Sequence, residues 1–212
     1  MKTLIPFVFA LFIFISPLQS GETKDEDKTL AYSEAMDLFN GCALQSCIDF
    51  EVFEKSYQGY LKFKPKKPIL VICDFSKPSN EKRFFVIDLF NKKLLHMTYV
   101  AHGKNSGELF ADSFSNERES YKSCTGFLSI NERINSPKHG AAILLEGLEK
   151  NLNDNARKRE IIIHGADYVS EDFIAKNGRL GRSYGCPALP IEEMEIIIPY
   201  ISDGALLFIN AK

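Results

Sequence analysis

The feature that most restricts the fold is a series of short apolar runs in the middle of the chain. Residues 69–75, 83–89 and 94–101 are rich in β-branched, leucine and aromatic side chains, and turn signals at 77–80 and 91–93 separate them. Apolar runs of this length, divided by Pro, Ser, Asn and Lys, are typical of strands in an antiparallel meander. The pattern therefore predicts that the chain folds around a β-sheet.

The remaining sequence after this meander adds strands and a smaller number of helices. The predicted elements are strands at 125–130, 141–145 and 160–164, helices at 170–177 and 191–201, and a strand at 205–210. Ser170 is a suitable N-cap for the first of these helices and Gly178 a suitable C-terminal stop. Residues 103–123 are polar and Ser-rich, and are long enough to form a functional loop. Together the elements predict a mixed, mainly β, α+β fold.

The N-terminus has a different character. Lys2 precedes a short apolar run at 4–15, and small and polar residues follow it. A basic start, a short apolar core and a small-residue exit are typical of a secretory signal peptide. The run is shorter than the ~20 residues that a membrane span needs. We predict a signal peptide at 1–20, with an uncleaved anchor helix as the alternative, and hence a periplasmic or extracellular protein with no stable membrane insertion after cleavage.

The predicted domain organisation follows from these patterns. Residues 21–29 are strongly polar and are predicted to be a disordered leader, and residues 30–68 form two short amphipathic helices as an N-terminal extension. Residues 69–212 then form the main domain. The chain of 212 residues is 45% hydrophobic, which suits one globular domain, and its net charge of −2 gives no sign of a nucleic-acid partner.

Five cysteines follow the predicted signal peptide, namely Cys42, Cys47, Cys73, Cys124 and Cys186. An oxidising compartment tends to pair thiols, and an odd number leaves one free. Pairs Cys42–Cys47 and Cys73–Cys124 are both plausible, and buried free thiols are the alternative. We predict at least one disulfide, with Cys186 unpaired.

Cys186 and His164 are the residues whose local sequence points to chemistry. His164 ends an apolar strand and Gly165 lets the chain turn away, while Gly185 and Pro187 place Cys186 in a tight turn. A thiol and an imidazole are the minimum equipment for cysteine nucleophilic catalysis. A free cysteine titrates near ~8.5, so a neighbouring imidazole is needed to hold the thiolate. A structural turn with a buried thiol, and a structural histidine, are the alternatives.

The residues around the cysteine suggest where an oxyanion would bind. Pro187 has no N–H group, so backbone donors must come from Tyr184, Gly185 and Cys186. Ser183 has two possible roles, as a donor to the oxyanion or as the cap of a turn. Tyr184 would either line the acyl pocket or pack against the domain.

Arg179 and Arg182 flank Gly181 shortly before the cysteine. A guanidinium group can hold a substrate carboxylate through forked hydrogen bonds, and a solvated surface is the alternative for one of the two. We favour Arg182, which lies closer to the nucleophile.

His102 ends a predicted strand, as His164 does, and is predicted to lie in the same cleft behind the site. A zinc site formed by His102, His164, Cys186 and Asp112 is conceivable. No closely spaced pair of His or Cys residues supports a metal, however, and we predict neither a metal nor a cofactor. His96 and His139 have no supporting context.

These pieces together resemble the murein L,D-transpeptidase catalytic domain of the YkuD type. The resemblance rests mainly on His164-Gly165 and on the stretch from Ser183 to Cys186, and more weakly on 100–104 and 125–127. It extends from about Leu30 to the C-terminus. It implies a β-sandwich-like or mixed-sheet domain with few helices.

The resemblance also implies a mechanism. Cys186 would be the nucleophile and His164 the base, with the carbonyl group of Gly165 orienting the imidazole. The reaction would be attack on the peptide bond between the third and fourth residues of a peptidoglycan stem peptide, followed by transfer to an amine or to water.

Two departures from the usual pattern bear on substrate binding. Tyr184 stands where the usual motif has a histidine. The usual arginine after the cysteine is missing, and Pro187, Ala188 and Leu189 stand there. Arg179 or Arg182 would then have to supply the missing positive charge. A murein L,D-carboxypeptidase or peptidase with the same site, and a non-catalytic wall-binding domain, therefore remain alternatives to a transpeptidase.

Overall fold

The computed structural model describes residues 22–211, and side chains from residue 28 onward. The predicted signal peptide at 1–20 lies outside these described residues. Among the described helices, none is both long enough and apolar enough to cross a membrane.

The described chain contains four helices and eight strands. In chain order they are α1 (Glu22–Gly41), α2 (Phe50–Phe63), β1 (Ile69–Asp74), β2 (Phe84–Asp88), β3 (Lys93–Thr98), β4 (Gly126–Ser136), β5 (Gly140–Gly147), β6 (Ile162–Gly165), α3 (Glu171–Asn177), β7 (Ala188–Leu189), α4 (Ile191–Ile201) and β8 (Leu206–Asn210). The strands form one sheet in the order β3-β2-β1-β8-β4-β5-β6-β7. Strands β1 and β8 pair in parallel, as do β6 and β7, and the other pairs are antiparallel. The predicted mainly β, α+β class with a mixed sheet is confirmed.

Both faces of the central sheet are covered. Successive side chains of a strand point to opposite faces, and in β1 Leu70 and Ile72 join one core cluster while Val71 and Cys73 join another. The first cluster is closed by α1 and α2, and the second by α4. Every residue of β1 is therefore buried, which explains why its sequence is a continuous apolar run.

The first N-terminal helix begins earlier than the sequence-based expectation. Residues 22–29, predicted as a disordered leader, continue α1. Once the packed part of a helix is formed, each added residue gains one hydrogen bond without a new nucleation cost, so the polar segment can extend it. Helix α2 packs on the sheet through Phe53 and Tyr57, and Gly59 contacts Phe127 so closely that a Cβ atom there would lie 2.0 Å from the ring.

The β4–β5 hairpin is longer than predicted. The apolar pattern indicated only 125–130 and 141–145, yet the paired strands continue to Ser136 and begin again at Gly140. Residues 131–136 are polar apart from Ile134, and none of them is buried, so hydrophobic periodicity gives no strand signal there. The hairpin ends in a tip at 137–139, called the hairpin tip below.

All five cysteines are free thiols in the structure, which corrects the predicted disulfide. Cys73 and Cys124 lie in the same core cluster as unpaired, buried side chains. Cys42 packs among apolar residues at the end of α1, and the Cys47 thiol donates a hydrogen bond to the carbonyl oxygen of Leu44 at 3.3 Å. These thiols act as small apolar side chains, the alternative considered from the sequence.

Candidate active site

The edge of the sheet brings Cys186 and His164 to one cleft. His164 of β6 lies opposite Ala188 of β7. Cys186 lies in the bend that leads into β7, two residues before Ala188, and this brings it near the end of β6. Both line a cleft of about 920 Å³.

The His164 ring has a defined tautomer. Its Nδ1 atom lies 3.0 Å from the carbonyl oxygen of Gly165. A carbonyl oxygen only accepts hydrogen bonds, so Nδ1 carries the proton and Nε2 is left unprotonated and able to take one. Burial lowers the pKa of His164 to about 4, the Gly165 carbonyl opposes this shift, and His139 and Lys138 add to it. The imidazole is therefore neutral at pH 7.

The Cys186 side chain is partly buried in the turn at 183–187, called the nucleophile turn below after the role predicted for Cys186. Its thiol donates weakly to the carbonyl oxygen of Glu160, with an Sγ–O distance of 3.8 Å, and within the described residues it makes no hydrogen bond to His164. Burial raises the pKa of Cys186, while the N–H group of Ile162 and the positive charge of Arg159 act in the opposite direction. The resting site thus holds a neutral thiol beside a neutral imidazole.

A local hydrogen-bond pattern shapes the nucleophile turn. The Ser183 hydroxyl donates to the carbonyl oxygen of Cys186 at 2.6 Å and accepts from the N–H group of Gly185 at 3.0 Å. Gly185 has φ +123°, as the sequence led us to expect, and its carbonyl oxygen accepts from the Ser123 hydroxyl at 3.1 Å. Ser183 is therefore the turn cap of the two roles considered for it.

This pattern narrows the choice of oxyanion donors. The N–H group of Gly185 is already used by Ser183, which removes it from the predicted set. The N–H groups of Tyr184 and Cys186 make no hydrogen bond to the part of the chain that the structure describes. These two groups remain as donors toward the cleft.

The segment at 101–104 supports the nucleophile turn from behind. Ala101 bridges to Ala188 and Gly103 to Ser183. A Cβ atom at Gly103 would lie 2.5 Å from the carbonyl oxygen of Tyr121 and 3.0 Å from the Cα atom of Gly185. Only glycine fits between these two backbone segments.

His102 lies behind the cleft and not in it. The ring is fully buried, and Arg83 donates to its Nδ1 atom at 2.8 Å. Since arginine is only a donor, the proton sits on Nε2, which donates to the carbonyl oxygen of Gly107 at 3.2 Å. With no exposed surface, the ring supports the segment behind the cleft and does not face a substrate directly. The buried Arg83 that holds it gave no signal in the sequence.

Arg179 and Arg182 share one carboxylate partner. The distance from Arg179 Nη2 to Glu108 Oε2 is 2.9 Å, and from Arg182 Nη1 to Glu108 Oε1 it is 2.5 Å. Arg182 lines the cleft, but its guanidinium group also donates to the carbonyl oxygen of Gly107. The group predicted to hold a substrate carboxylate therefore already binds one from the protein itself.

Several cleft residues were missed by sequence reasoning. The His139 ring stacks on the His164 ring with centroids 3.7 Å apart, although His139 had no supporting context in the sequence. Lys138, Tyr121 and Tyr168 also line the cleft. Of these residues, Tyr168 is the one close to a sequence signal, four residues after His164.

Comparison with known proteins places the chain in a family. A family model described as "L,D-transpeptidase catalytic domain", of the YkuD type, matches residues 44–210. The chain belongs to this L,D-transpeptidase family. The match begins before α2, so it includes part of what we predicted to be an N-terminal extension. No curated protein gave a significant match.

Solved structures of the L,D-transpeptidase family are more distant. An L,D-transpeptidase from Mycobacterium smegmatis is 12% identical, with 68% of this chain and 59% of that chain covered and a TM-score of 0.44. One from Stackebrandtia nassauensis is 15% identical, with 76% and 67% covered and a TM-score of 0.42. One from Xylanimonas cellulosilytica is 12% identical, with 87% and 93% covered and a TM-score of 0.42. The chain spans about three fifths of the length of the first of these.

Proposed function

We propose that this protein is an exported, cysteine-dependent acyl transferase that acts on peptidoglycan stem peptides as an L,D-transpeptidase. The observation that carries the proposal is the arrangement of the cleft. Cys186 and His164 face the same space, and the Gly165 carbonyl holds the imidazole in the tautomer whose Nε2 atom can take a proton. Membership of the L,D-transpeptidase family supports the substrate class. The N-terminal sequence supports export to the periplasm or the cell exterior.

The first half of the proposed reaction forms a thioester. The thiol of Cys186 turns from the Glu160 carbonyl toward the cleft and gives its proton to Nε2 of His164 as Sγ attacks the peptide carbonyl carbon. The N–H groups of Tyr184 and Cys186 donate to the resulting oxyanion. The imidazolium then protonates the leaving amine, the C–N bond breaks, and the acyl group stays on sulfur.

The second half releases the acyl group. An acceptor amine attacks the thioester carbonyl while His164 takes its proton, and the C–S bond breaks to restore the thiol. Transfer to an amine gives a cross-link, whereas transfer to water gives a shortened stem peptide.

Incubation of the mature protein with a purified disaccharide tetrapeptide tests the proposal. We expect mass spectrometry to find a thioester on Cys186 and cross-linked products when a second stem peptide supplies the amine. Cys186→Ala should abolish both and leave the fold intact, because the covalent route is lost. Cys47→Ala is the matched control, since Cys47 is a half-buried thiol outside the cleft.

Two results would contradict the proposal. Turnover by folded Cys186→Ala protein would exclude the nucleophile. Shortened stem peptides without cross-links, even with excess acceptor amine, would make the protein a murein peptidase.

A further inference from the structure

An exposed tyrosine beside the nucleophile lies between two ammonium groups. Tyr184 is 59% exposed, and its ring contacts that of Tyr121 with centroids 5.0 Å apart. The Nζ atom of Lys104 lies 4.5 Å from the centre of the Tyr184 ring, and that of Lys138 lies 5.2 Å from it. Lys104 is also 4.2 Å from the Tyr121 ring. We call these four residues the lysine–tyrosine rim.

Both ammonium groups of the rim lack a carboxylate partner. Within residues 28–211, neither Lys104 nor Lys138 lies within ion-pair distance of an acidic side chain, although Glu119 and Glu160 line the same cleft. Contact with a single aromatic ring places the two charges less than about 10 Å apart. Two like charges at this separation repel each other, and a bound anion would offset this repulsion through its attraction to both.

The other cations of the cleft are already engaged. Arg182 binds Glu108, and Arg157 lies 3.5 Å from Glu132. Arg159 donates to the backbone carbonyl oxygens at 115 and 122, both at 2.5 Å. Lys138 is therefore the cleft-lining cation without a carboxylate or backbone partner among the described residues, and Lys104 lies next to the cleft over the Tyr184 ring.

We propose that the lysine–tyrosine rim binds a carboxylate of the peptide substrate next to the carbonyl group that Cys186 attacks. This inference rests on the proposed function, because peptidoglycan stem peptides carry free carboxylates. Each ammonium group can donate to a carboxylate oxygen, and both lie close to the exposed Tyr184 ring beside Cys186. The rim thus takes the role that the sequence suggested for Arg182.

The rim also connects two parts of the fold. Lys138 belongs to the hairpin tip, whereas Lys104 follows the bridge between Gly103 and Ser183 at the nucleophile turn. A carboxylate bound by both lysines therefore joins the hairpin tip to the turn that carries Cys186.

Binding measurements in the Cys186→Ala protein test the inference without turnover. Titration calorimetry compares the stem tetrapeptide with analogues in which single carboxylates are replaced by amides. We expect Lys138→Gln and Lys104→Gln each to raise Kd about 5-fold, the upper end for an exposed charge pair, and the double variant to raise it further. The tetrapeptide analogue in which the bound carboxylate is replaced by an amide should bind all variants with equal Kd. Added salt should weaken binding of the acid more than that of the amide.

The matched control is Lys82→Gln, because Lys82 lies over the Tyr99 ring at 5.9 Å and outside the cleft. It should bind like the parent protein, and thermal melting should show that every variant is folded. In the active enzyme both lysine variants should raise KM. Lys104→Gln should leave kcat nearly unchanged, whereas Lys138→Gln should also shift the pH profile of kcat, because Lys138 lowers the pKa of His164 and Cys186.

The outcomes separate this inference from the proposed function. If the wild type forms its thioester but the lysine variants and amide analogues bind as the parent does, the rim is not the carboxylate site and the proposed function stands. If the wild type forms no thioester with any stem peptide, the proposed function fails. If no stem peptide binds the Cys186→Ala protein either, both are overturned.

Discussion

The protonation state of the resting site leads to the sharpest prediction. Burial disfavours the charged form of each group, so it lowers the pKa of His164 to about 4 and raises the pKa of Cys186. A thiolate–imidazolium pair would need the opposite order of the two pKa values. We therefore predict that Cys186 rests as a neutral thiol and becomes a thiolate only as substrate is attacked.

The direction of both shifts decides the protonation state. Burial raises the pKa of the Cys186 thiol and lowers that of His164 to about 4, so proton transfer from the thiol to the imidazole in the resting site is unfavourable. At pH 7 a thiol of pKa ~8.5 is about 3% ionised, which is an upper limit for Cys186.

Alkylation by iodoacetamide between pH 5 and pH 10 measures this directly, because only the thiolate reacts. The other thiols are separated by peptide mapping. The rate at Cys186 should rise about tenfold per pH unit from pH 5 to pH 8 and level off only above the ordinary cysteine pKa. His164→Ala should leave this alkylation profile nearly unchanged, yet slow turnover by roughly 10²–10⁴ because the general base is lost. A fast, level rate from pH 5 to pH 7 that disappears in His164→Ala would show a preformed ion pair and refute the reasoning.

Three further predictions concern contacts found only in the structure. His139→Ala should expose the imidazole of His164 and remove a nearby positive charge at low pH, so the pKa of His164 should rise toward its ordinary value in an NMR titration. An unchanged titration would mean that the stacked ring does not affect it. Gly103→Ala should lower turnover and melting temperature together, because its Cβ would lie 2.5 Å from a backbone oxygen of the neighbouring loop. Wild-type turnover would contradict this. Gly59→Ala should lower the free energy of unfolding by about 1–3 kcal/mol through its clash with Phe127, with Gln58→Ala as the exposed control in a denaturant titration. Equal stability of the two variants would show that the ring moves aside at no cost.

Local signals in the sequence were sufficient for much of the fold and for the two central residues. The apolar runs of β1 and β2 reflect burial on both faces of the sheet, and burial is what hydrophobic patterns report. The position of His164 at a strand end and of Cys186 in a glycine turn are also local features. The positive φ of Gly185 follows from the same local chemistry.

The missing parts depend on contacts between distant, polar residues. His139 and His164 are 25 positions apart, and the strands that bring them together continue through a polar segment with no apolar pattern. The engagement of Arg182 by Glu108 and of His102 by Arg83 depends likewise on loops whose paths the sequence does not encode locally. Hydrophobic periodicity indicates which residues are buried, but it does not indicate which polar side chains meet.

Two residues of the hairpin tip lie close to groups that the usual family motif supplies differently. Where that motif has a histidine, this chain has Tyr184, and the structure gives its ring two ammonium neighbours, one of them Lys138. A second imidazole still reaches the site, but it comes from His139, the next residue of the tip, and contacts His164. Both residues of the tip therefore act on the base, and Lys138 is proposed to act on the substrate charge as well. Substitution of Lys138 should change Kd and also raise the pKa of His164, whereas substitution of His139 should raise the pKa of His164 and leave Kd nearly unchanged.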